Sequence, residues 1–540
     1  MTALPSRIAA FADRWPRLVA LLLGAISATG FAPLHFWPLT LFGLAGLMAL
    51  VAQSSKGSRA LGIGWVFGVG HFTIGLNWIA TAFTYQAAMP AWLGWVAVVL
   101  VSLYLAIYPA LAAWGGWLVR RWGPPTTRLA IPSYVLAFAG FWTLAEWLRS
   151  WVFTGFAWNP LGAIAIGIAE PAQLVGTYGL SGMVVIVASV YALPLFQRRA
   201  AEPPRELSER RQLLHQLGFG AILAAFMALV YFEPVPLSET QLATGTIPIT
   251  VVQPNVGQQD KWEGSKADAN FAKLARLTTP KDDTPRLILW PEAAVPDYLE
   301  TGYPAVYYDR SPAAARGRLT SLMNPGDVML LGALKLELDR TGEAVGARNA
   351  VMTVHADGTL GPRYDKAHLV PYGEYLPMRP ILSAIGLSRL APGDIDFWPG
   401  PGPHTLDLGR FGKAGLQICY EIIFSGQVVD RAHRPDFIFN PSNDAWFGSW
   451  GPPQHLVQAR LRAIEEGLPV IRSTPTGISA VIDADGRVLE SLPMHAAGRI
   501  DTFIPKAHTP TLFARHGNVL PVGFALLLIV AAIAFRRRGR

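Results

Sequence analysis

Cysteine is almost absent from this 540-residue chain: Cys419 is the only one, so no intramolecular disulfide can form. Charge is scarce as well, with 15% Asp, Glu, Lys and Arg against 51% hydrophobic residues, a balance that departs from soluble domains and points to a membrane class. The chain has no Gly-x-Ser-x-Gly elbow, no phosphate-binding Gly-rich loop ending in Lys-Ser/Thr, and no His pair at helical metal-ligand spacing. The usual serine-hydrolase, P-loop and zinc-protease chemistries therefore lack their residues. Internal repeats and low-complexity segments are also missing.

What is present is unevenly spread. Residues 1–232 and the run Val519 to Phe535 are strongly apolar, whereas residues 233–510 carry charges throughout, as a globular domain does. The net charge of +8 forms no basic stripe interleaved with stacking aromatics, so nucleic acid is not the expected partner. Much of the excess sits instead in short loops beside apolar segments: Arg7, Arg14 and Arg17; Lys56 and Arg59; Arg120, Arg121 and Arg128; Arg198 to Arg211; and the tail Arg536 to Arg540. The loops around Pro33 to Trp37 and Thr84 to Pro90 have no Lys or Arg. Basic loops resist translocation, so this alternation places both termini in the cytoplasm.

A bilayer core of roughly 30 Å asks for about 20 apolar residues per helix. Candidate spans are Leu18–Ala32, Trp37–Ala52, Leu61–Phe83, Ala91–Val119, Ile131–Leu148, Ala172–Phe196, His215–Phe232 and Val519–Phe535. The expected architecture is an α-helical transmembrane bundle of about eight spans plus an α/β domain outside the membrane. It divides into about seven helices over residues 1–232, an extracytoplasmic domain over 233–510, and a last helix with a basic cytoplasmic tail over 511–540.

Within 233–510 the pattern changes to short β-branched runs punctuated by Gly, Pro and Asp. Strand candidates are Ile247–Gln253, Arg286–Trp290, Val328–Leu334, Ala350–His355, Ala414–Cys419, Phe437–Phe439, Val470–Ser473 and Ala480–Ile482. Asp357-Gly358 and Asp485-Gly486 follow such runs and suit hairpin turns. Ala267–Leu277 and His455–Glu466 have the spacing of amphipathic helices, so sheet faces and helices alternate in a mixed domain.

A single free thiol in an exported domain suggests either a reactive group or a small inert core residue. Cys419 closes the apolar run Gly415-Leu-Gln-Ile-Cys419, where a strand would present a nucleophile at its end. A thiolate needs a base or a cation nearby. Glu292 follows the apolar run Leu287 to Trp290 and Pro291; Lys366 and Glu374 flank Ala-His-Leu-Val-Pro-Tyr-Gly. Spacing alone leaves each open: Glu292 as a surface loop carboxylate, Lys366 as a solvated hairpin residue, Glu374 as a turn or cap partner.

The stretches Trp290-Pro-Glu292, Lys366-Ala-His-Leu-Val-Pro-Tyr-Gly-Glu374 and Cys419-Tyr-Glu421 resemble, in chain order, the Glu, Lys and Cys motifs of the nitrilase superfamily. With Ser442-Asn-Asp-Ala-Trp-Phe-Gly448, Gln454-His-Leu-Val-Gln-Ala-Arg460 and the preceding spans, the chain is similar to the membrane-embedded branch of that superfamily, the apolipoprotein N-acyltransferases. The resemblance covers nearly the whole chain. It implies an αββα sandwich for the catalytic domain, in the bacterial inner membrane with that domain on the periplasmic side. It further implies Cys419 as nucleophile, Glu292 as general base, and Lys366 as support of the thiolate and oxyanion with the backbone of Tyr420. Glu374 becomes a second carboxylate, and Glu421 a supporting one.

By the same resemblance, a fatty acyl group passes from phospholipid, phosphatidylethanolamine for choice, through a Cys419 thioester. Its acceptor is the α-amine of a diacylglyceryl-modified apolipoprotein. Such transfer needs neither metal nor cofactor, and a monomer suffices. Trp262, Trp446 and Phe447 are expected beside an acyl groove, with core packing or an interfacial belt as the other outcome for each. The nearest rival is a membrane-tethered nitrilase-type amidase or hydrolase, which differs only in the acceptor. Glu146 and Arg149, near the end of one span, suggest a headgroup contact or an interfacial pair.

Overall fold

The structure is a computed structural model that describes residues 10–85, 90–122, 130–197, 245–261, 263–384 and 395–538. The chain separates into two compact units: one within Met1–Asn77, Trp95–Pro236 and His516–Arg540, the other within Trp78–Gly94 and Leu237–Arg515.

The first unit is helical among its described residues: Pro16–Ser27, Trp37–Ala52, Gly57–Gly75, most of Leu93–Leu105, Ile107–Arg121, Ala130–Arg149, Ala172–Gln197 and Val519–Arg538. Glycines let these helices approach closely, as bundles without a solvent-driven interface require. A Cβ on Gly24 would lie 2.0 Å from the carbonyl oxygen of Phe67, and one on Gly70 would lie 2.2 Å from that of Leu21. The expected span Ala91–Val119 is two helical pieces that meet at Ala106. Pro109 has no N–H to return to the preceding turn, so the ladder is interrupted there.

Among the described residues three helices, Leu93–Arg121, Ala172–Ala192 and Val519–Arg537, are long and apolar enough to cross a membrane. A fourth is added if Gly57–Gly75 and Ile79–Tyr85 count as one broken span. Pro16–Gly30 and Trp37–Ala52 are shorter apolar helices, and the candidate His215–Phe232 lies outside the described residues. On the last helix Leu526, Leu527 and Val530 are exposed, an apolar face suited to lipid.

The second unit holds two six-stranded sheets. The first runs β12-β1-β2-β3-β4-β5, with β1 Pro248–Gln253, β2 Leu287–Leu289, β3 Val328–Leu338, β4 Ala344–His355, β5 Tyr364–Asp365 and β12 Gly498–Phe503. The second runs β11-β10-β9-β8-β7-β6, with β6 Thr405–Asp407, β7 Lys413–Leu416, β8 Phe437–Pro441, β9 Val470–Ser473, β10 Ser479–Ile482 and β11 Val488–Leu492. Each sheet has three adjacent parallel inner strands, β1, β2 and β3 in one and β7, β8 and β9 in the other, flanked by the antiparallel inner strands β4 and β10.

Such strands are covered on both faces, which is why Leu287-Ile-Leu289 and Phe437-Ile-Phe439 are continuous apolar runs, all buried. The sheets meet face to face; Ser473 Oγ donates to the carbonyl oxygen of Val252 at 2.9 Å. Helices Ala267–Thr278 and Pro312–Thr320 pack on the first sheet and Gly451–Glu466 on the second, giving the nitrilase-like α/β arrangement.

Both expected hairpin turns form. Gly358 and Gly486 take positive φ, and Thr359 N donates to Asp357 Oδ1 at 2.9 Å. The second amphipathic helix begins four residues earlier than expected, at Gly451, because Pro452 and Pro453 fit its first turn; it stops at Gly467 in the left-handed conformation.

Candidate active site

The chemistry-bearing residues lie just past strand ends, on inner strands except for Lys366, which follows the edge strand β5. Glu292 follows β2, Lys366 follows β5, Cys419 follows β7, and Asn443 with Asp444 follows β8.

Glu292 sits on a stretch that stays paired to β3: Gly332 N donates to the Pro291 carbonyl at 3.2 Å, and Ala294 N donates to that of Gly332 at 2.8 Å. Ala293 between them has a φ of 45°. The stretch can lie this close only because residue 332 is glycine; a Cβ there would come within 2.2 Å of Ala293 N. Glu292 is buried, and Asn349 Nδ2 donates to its Oε1 at 2.7 Å while Lys366 Nζ stands 3.5 Å from the same oxygen. Its other oxygen, Oε2, is buried with no hydrogen-bond partner among the described residues.

Lys366 is no solvated hairpin residue: it is 1% exposed. Its backbone is fixed on both sides, N–H to Asn349 O at 2.8 Å and carbonyl from Gly400 N at 2.8 Å. Its ammonium donates to Glu374 Oε1 at 3.0 Å, and Asn349 Nδ2 reaches that oxygen at 3.0 Å too. Glu374 Oε2 accepts from Val370 N at 2.8 Å. Burial alone would lower the lysine, but the charges of Glu374, Glu292, Cys419 and Glu421 outweigh it and hold the ammonium above its ordinary range.

Cys419 lies beyond its strand, not on it. β7 stops at Leu416, and Cys419, with a φ of 50°, opens the 3₁₀ turn Cys419–Ile423. A left-handed non-glycine residue costs about 1–3 kcal/mol and persists only where its surroundings impose it. The surroundings are visible. His455 Nε2 meets the Cys419 carbonyl oxygen at 3.1 Å, and Glu421 accepts from Ile418 N at 2.8 Å. The same Glu421 carboxylate accepts from Tyr364 Oη, Ala367 N and His368 N at 2.8–3.0 Å, so it ties the cysteine turn to the lysine segment. Burial pushes Glu421 up to about 7, against these donors and Lys366.

Burial also pushes the Cys419 thiol well up, and the charges of Glu292 and Asp444 push it further, while Lys366 and the backbone N–H of Asn443 act to lower it. Burial therefore favours the neutral thiol over the thiolate. Tyr420 is buried, edge-on to Phe424 at 5.2 Å and to His368 at 5.8 Å. Phe447 packs edge-on to Trp78 at 4.7 Å and to His455 at 5.7 Å; Trp446 meets Tyr85 at 5.8 Å. Trp262 lies outside the described residues.

Three contributors, one of them an ion pair, were given no role by the sequence. Asn349, the amide that joins both carboxylates, is a lone polar residue beginning the apolar half of β4. Asp444 and Arg472 are both fully buried and paired at 2.5 Å, and Arg472 Nη2 is also 2.9 Å from His455 Nδ1. Burial and the Arg472 charge lower His455, while Asp444 acts the other way; Nδ1 lies 3.0 Å from Asp444 Oδ1 as well as 2.9 Å from Arg472 Nη2, and Nε2 meets the Cys419 carbonyl oxygen. Lys261 is the third; its Nζ donates to the Glu292 carbonyl at 2.8 Å.

Residues 23–190 match the apolipoprotein N-acyltransferase N-terminal domain, and residues 249–505 match the carbon-nitrogen hydrolase family. An apolipoprotein N-acyltransferase of Rhodopseudomonas palustris is 34% identical over 97% of this chain and 96% of its own length. The chain belongs to the apolipoprotein N-acyltransferase family. A second member, from Bradyrhizobium diazoefficiens, is 35% identical over 97% of this chain and 95% of its own. Among solved structures, a Saccharomyces cerevisiae member of branch 10 of the nitrilase superfamily is 21% identical. It covers 50% of this chain and 93% of its own, with a TM-score of 0.33. In this family member, the carbon-nitrogen hydrolase match spans Glu292, Lys366, Glu374, Cys419 and Glu421 together.

Proposed function

We propose that Cys419 carries the acyl group in this membrane acyltransferase, with Glu292 as its base and Lys366 as its cation. The observation that supports this most is the division of labour at Glu292, whose charge acts on the buried Cys419 thiol: Oε1 is held by Asn349 and faces Lys366, while buried Oε2 has no hydrogen-bond partner among the described residues. A carboxylate fixed at one oxygen and open at the other suits proton transfer.

In the first half-reaction Sγ attacks an ester carbonyl of a phospholipid as Glu292 takes the thiol proton. Lys366, and the backbone N–H of Tyr420, stabilise the oxyanion. Collapse breaks the ester C–O bond, Glu292 returns its proton to the leaving alkoxide, and lysophospholipid departs from the acyl-Cys419 thioester. In the second, the α-amine of a diacylglyceryl-cysteine N-terminus attacks the thioester. Glu292 takes a proton from the nitrogen and restores the thiol. Glu374 keeps Lys366 in place, and Glu421 keeps the two motif segments together.

The donor is phosphatidylethanolamine, the acceptor a diacylglyceryl-modified apolipoprotein, and the working unit a monomer. Residues 1–232 supply about seven spans, residues 233–510 the catalytic domain, and residues 511–540 the last span and basic tail. The enzyme sits in the bacterial inner membrane with its catalytic domain periplasmic and both termini cytoplasmic, which the basic loops favour. Trp262, Trp446 and Phe447 flank the acyl chain.

The test incubates purified protein with acyl-labelled phosphatidylethanolamine, looks for hydroxylamine-sensitive label on Cys419, and chases it with a diacylglyceryl peptide. Label that moves into peptide supports transfer. Label released only as free fatty acid makes the chain a hydrolase, and no label removes the covalent route.

A further inference from the structure

We infer that Lys261 is a positioning residue for Cys419, a second lysine that clamps the base turn and the thiol's backbone donor to one point. The inference deepens the proposed function and rests on Cys419 being the reacting group.

Lys261 ends the short helix Gln258–Lys261, one loop beyond β1. Its ammonium donates at 2.8 Å to the carbonyl of Glu292, next to the positive-φ residue Ala293. On its other side stands Asn443. With the Asn443 amide turned to suit its neighbours, its side-chain oxygen accepts from Lys261 Nζ at 3.3 Å and from Trp446 Nε1 at 3.1 Å. The backbone N–H of that same Asn443 acts to lower the Cys419 thiol, towards its thiolate. One ammonium thus holds both the turn that presents the carboxylate and the residue that supports the thiolate.

Its charge acts on the same pair. Glu292 and Cys419 are the groups that face Lys261 electrostatically, and burial, outweighing them, lowers the lysine to about 8, still mostly protonated at neutral pH. Around the thiol the other charged groups are Glu292, Lys366 and Asp444. Lys261 also lines a depression with Glu292, Asp297, Arg310 and Arg318; Asp260, its chain neighbour, is occupied by Lys266 at 2.7 Å. Lys366 faces the carboxylate oxygens of Glu292, whereas Lys261 takes its backbone, so the two lysines do different things.

Because the chain has one cysteine, alkylation reports Cys419 alone and needs no lipid substrate. The full-length protein in detergent is treated with iodoacetamide between pH 6 and 10, alongside Lys261→Met, Lys261→Gln, Lys261→Arg and the exposed-site control Lys266→Met. Loss of the ammonium in the Met and Gln variants is expected to slow alkylation at pH 7 by about tenfold and raise its apparent midpoint by about one unit. Lys261→Arg should recover the native rate to within about threefold, because it keeps the charge and the donors.

Profiles of the Met and Gln variants that overlay the native one would overturn the inference. So would equal slowing in Met, Gln and Arg variants, which would mean packing alone. If the Met variant does not fold, the Gln variant decides. A native protein that shows the alkylation shift on substitution yet forms no acyl-enzyme would retain this inference and reject the proposed function.

Discussion

His455 Nε2 and the carbonyl oxygen of Cys419 are joined at 3.1 Å, a hydrogen bond between a buried imidazole and the backbone of the residue whose left-handed φ aims the thiol. Behind the ring stand Arg472 and Asp444, fully buried and paired. This arrangement holds the nucleophile's backbone, and not its sulfur, in place.

His455→Ala removes that hold and leaves the Arg472–Asp444 pair beside a cavity. We expect a stability loss of about 2–4 kcal/mol and a fall in acyl-enzyme formation of about tenfold or more, with lipid binding unchanged. Thermal unfolding and single-turnover labelling measure the two separately. Equal labelling rates for native and variant would show that the φ of Cys419 does not depend on this bond.

Lys366→Met takes the cation from between Glu292 and Glu374, leaving two buried carboxylates that share only Asn349. Breaking a buried pair costs about 3–5 kcal/mol, and losing an oxyanion donor costs about 10²–10³ in rate. Rate loss should exceed that of Glu374→Gln, in which the lysine retains Glu292. The labelling rates of the two variants check the order.

Gly332→Ala puts a methyl within 2.2 Å of Ala293 N and 2.6 Å of Glu292 Cα. Overpacking of this kind costs about 1–3 kcal/mol, yet activity should fall further than stability does, because the displaced segment carries the base. A variant with native labelling and a lowered melting temperature would place the strain elsewhere.

Glu466 gives a pH effect remote from the thiol. Burial and the charge of Glu465 push it up to about 7, from an unfolded value near 4.5. A carboxyl raised on folding stabilises the fold fully below the lower value, and that contribution is lost as pH rises through the upper one. Stability should therefore decline between about pH 4.5 and 8, by up to about 3 kcal/mol from this group. Glu466→Gln, neutral throughout, should flatten that stretch of a melting-temperature profile.

In the membrane unit, Gly64 and Gly68 sit against Pro109, Ala110, Ala113 and Ala106, where a Cβ would approach Pro109 O to 2.8 Å and Ala106 Cα to 2.7 Å. Gly64→Val and Gly68→Val should separate these helices and lower the melting temperature in detergent, while a change at Gly62, with open space around it, should not.

Glu292 and Cys419 were legible because the inner parallel strands before them are continuous apolar runs with polar residues just past them; Lys366 follows the two-residue edge strand β5, which carries no such run, and only its motif pointed to it. Trp37–Ala52 was legible to the residue, its apolar stretch being bounded by Phe36-Trp37-Pro38 and Gln53. The turn at Cys419 was not, since a positive φ on a non-glycine residue is imposed by distant groups such as His455 and leaves no local mark. Asn349, Asp444, Arg472 and Lys261 escaped for a related reason. Each acts across a sheet or between segments far apart in the chain, and single polar residues inside apolar runs carry no periodicity. The break at Ala106 could have been read from Pro109, which hydropathy alone does not weigh.

Having one sulfur also settles a matter of counting. If Cys419 carries the acyl group as proposed, a polypeptide with this lone thiol is loaded once, and a donor titration without acceptor should plateau at a single lysolipid released per active chain. The height of that burst measures the fraction of competent molecules in any preparation, with no reference inhibitor needed.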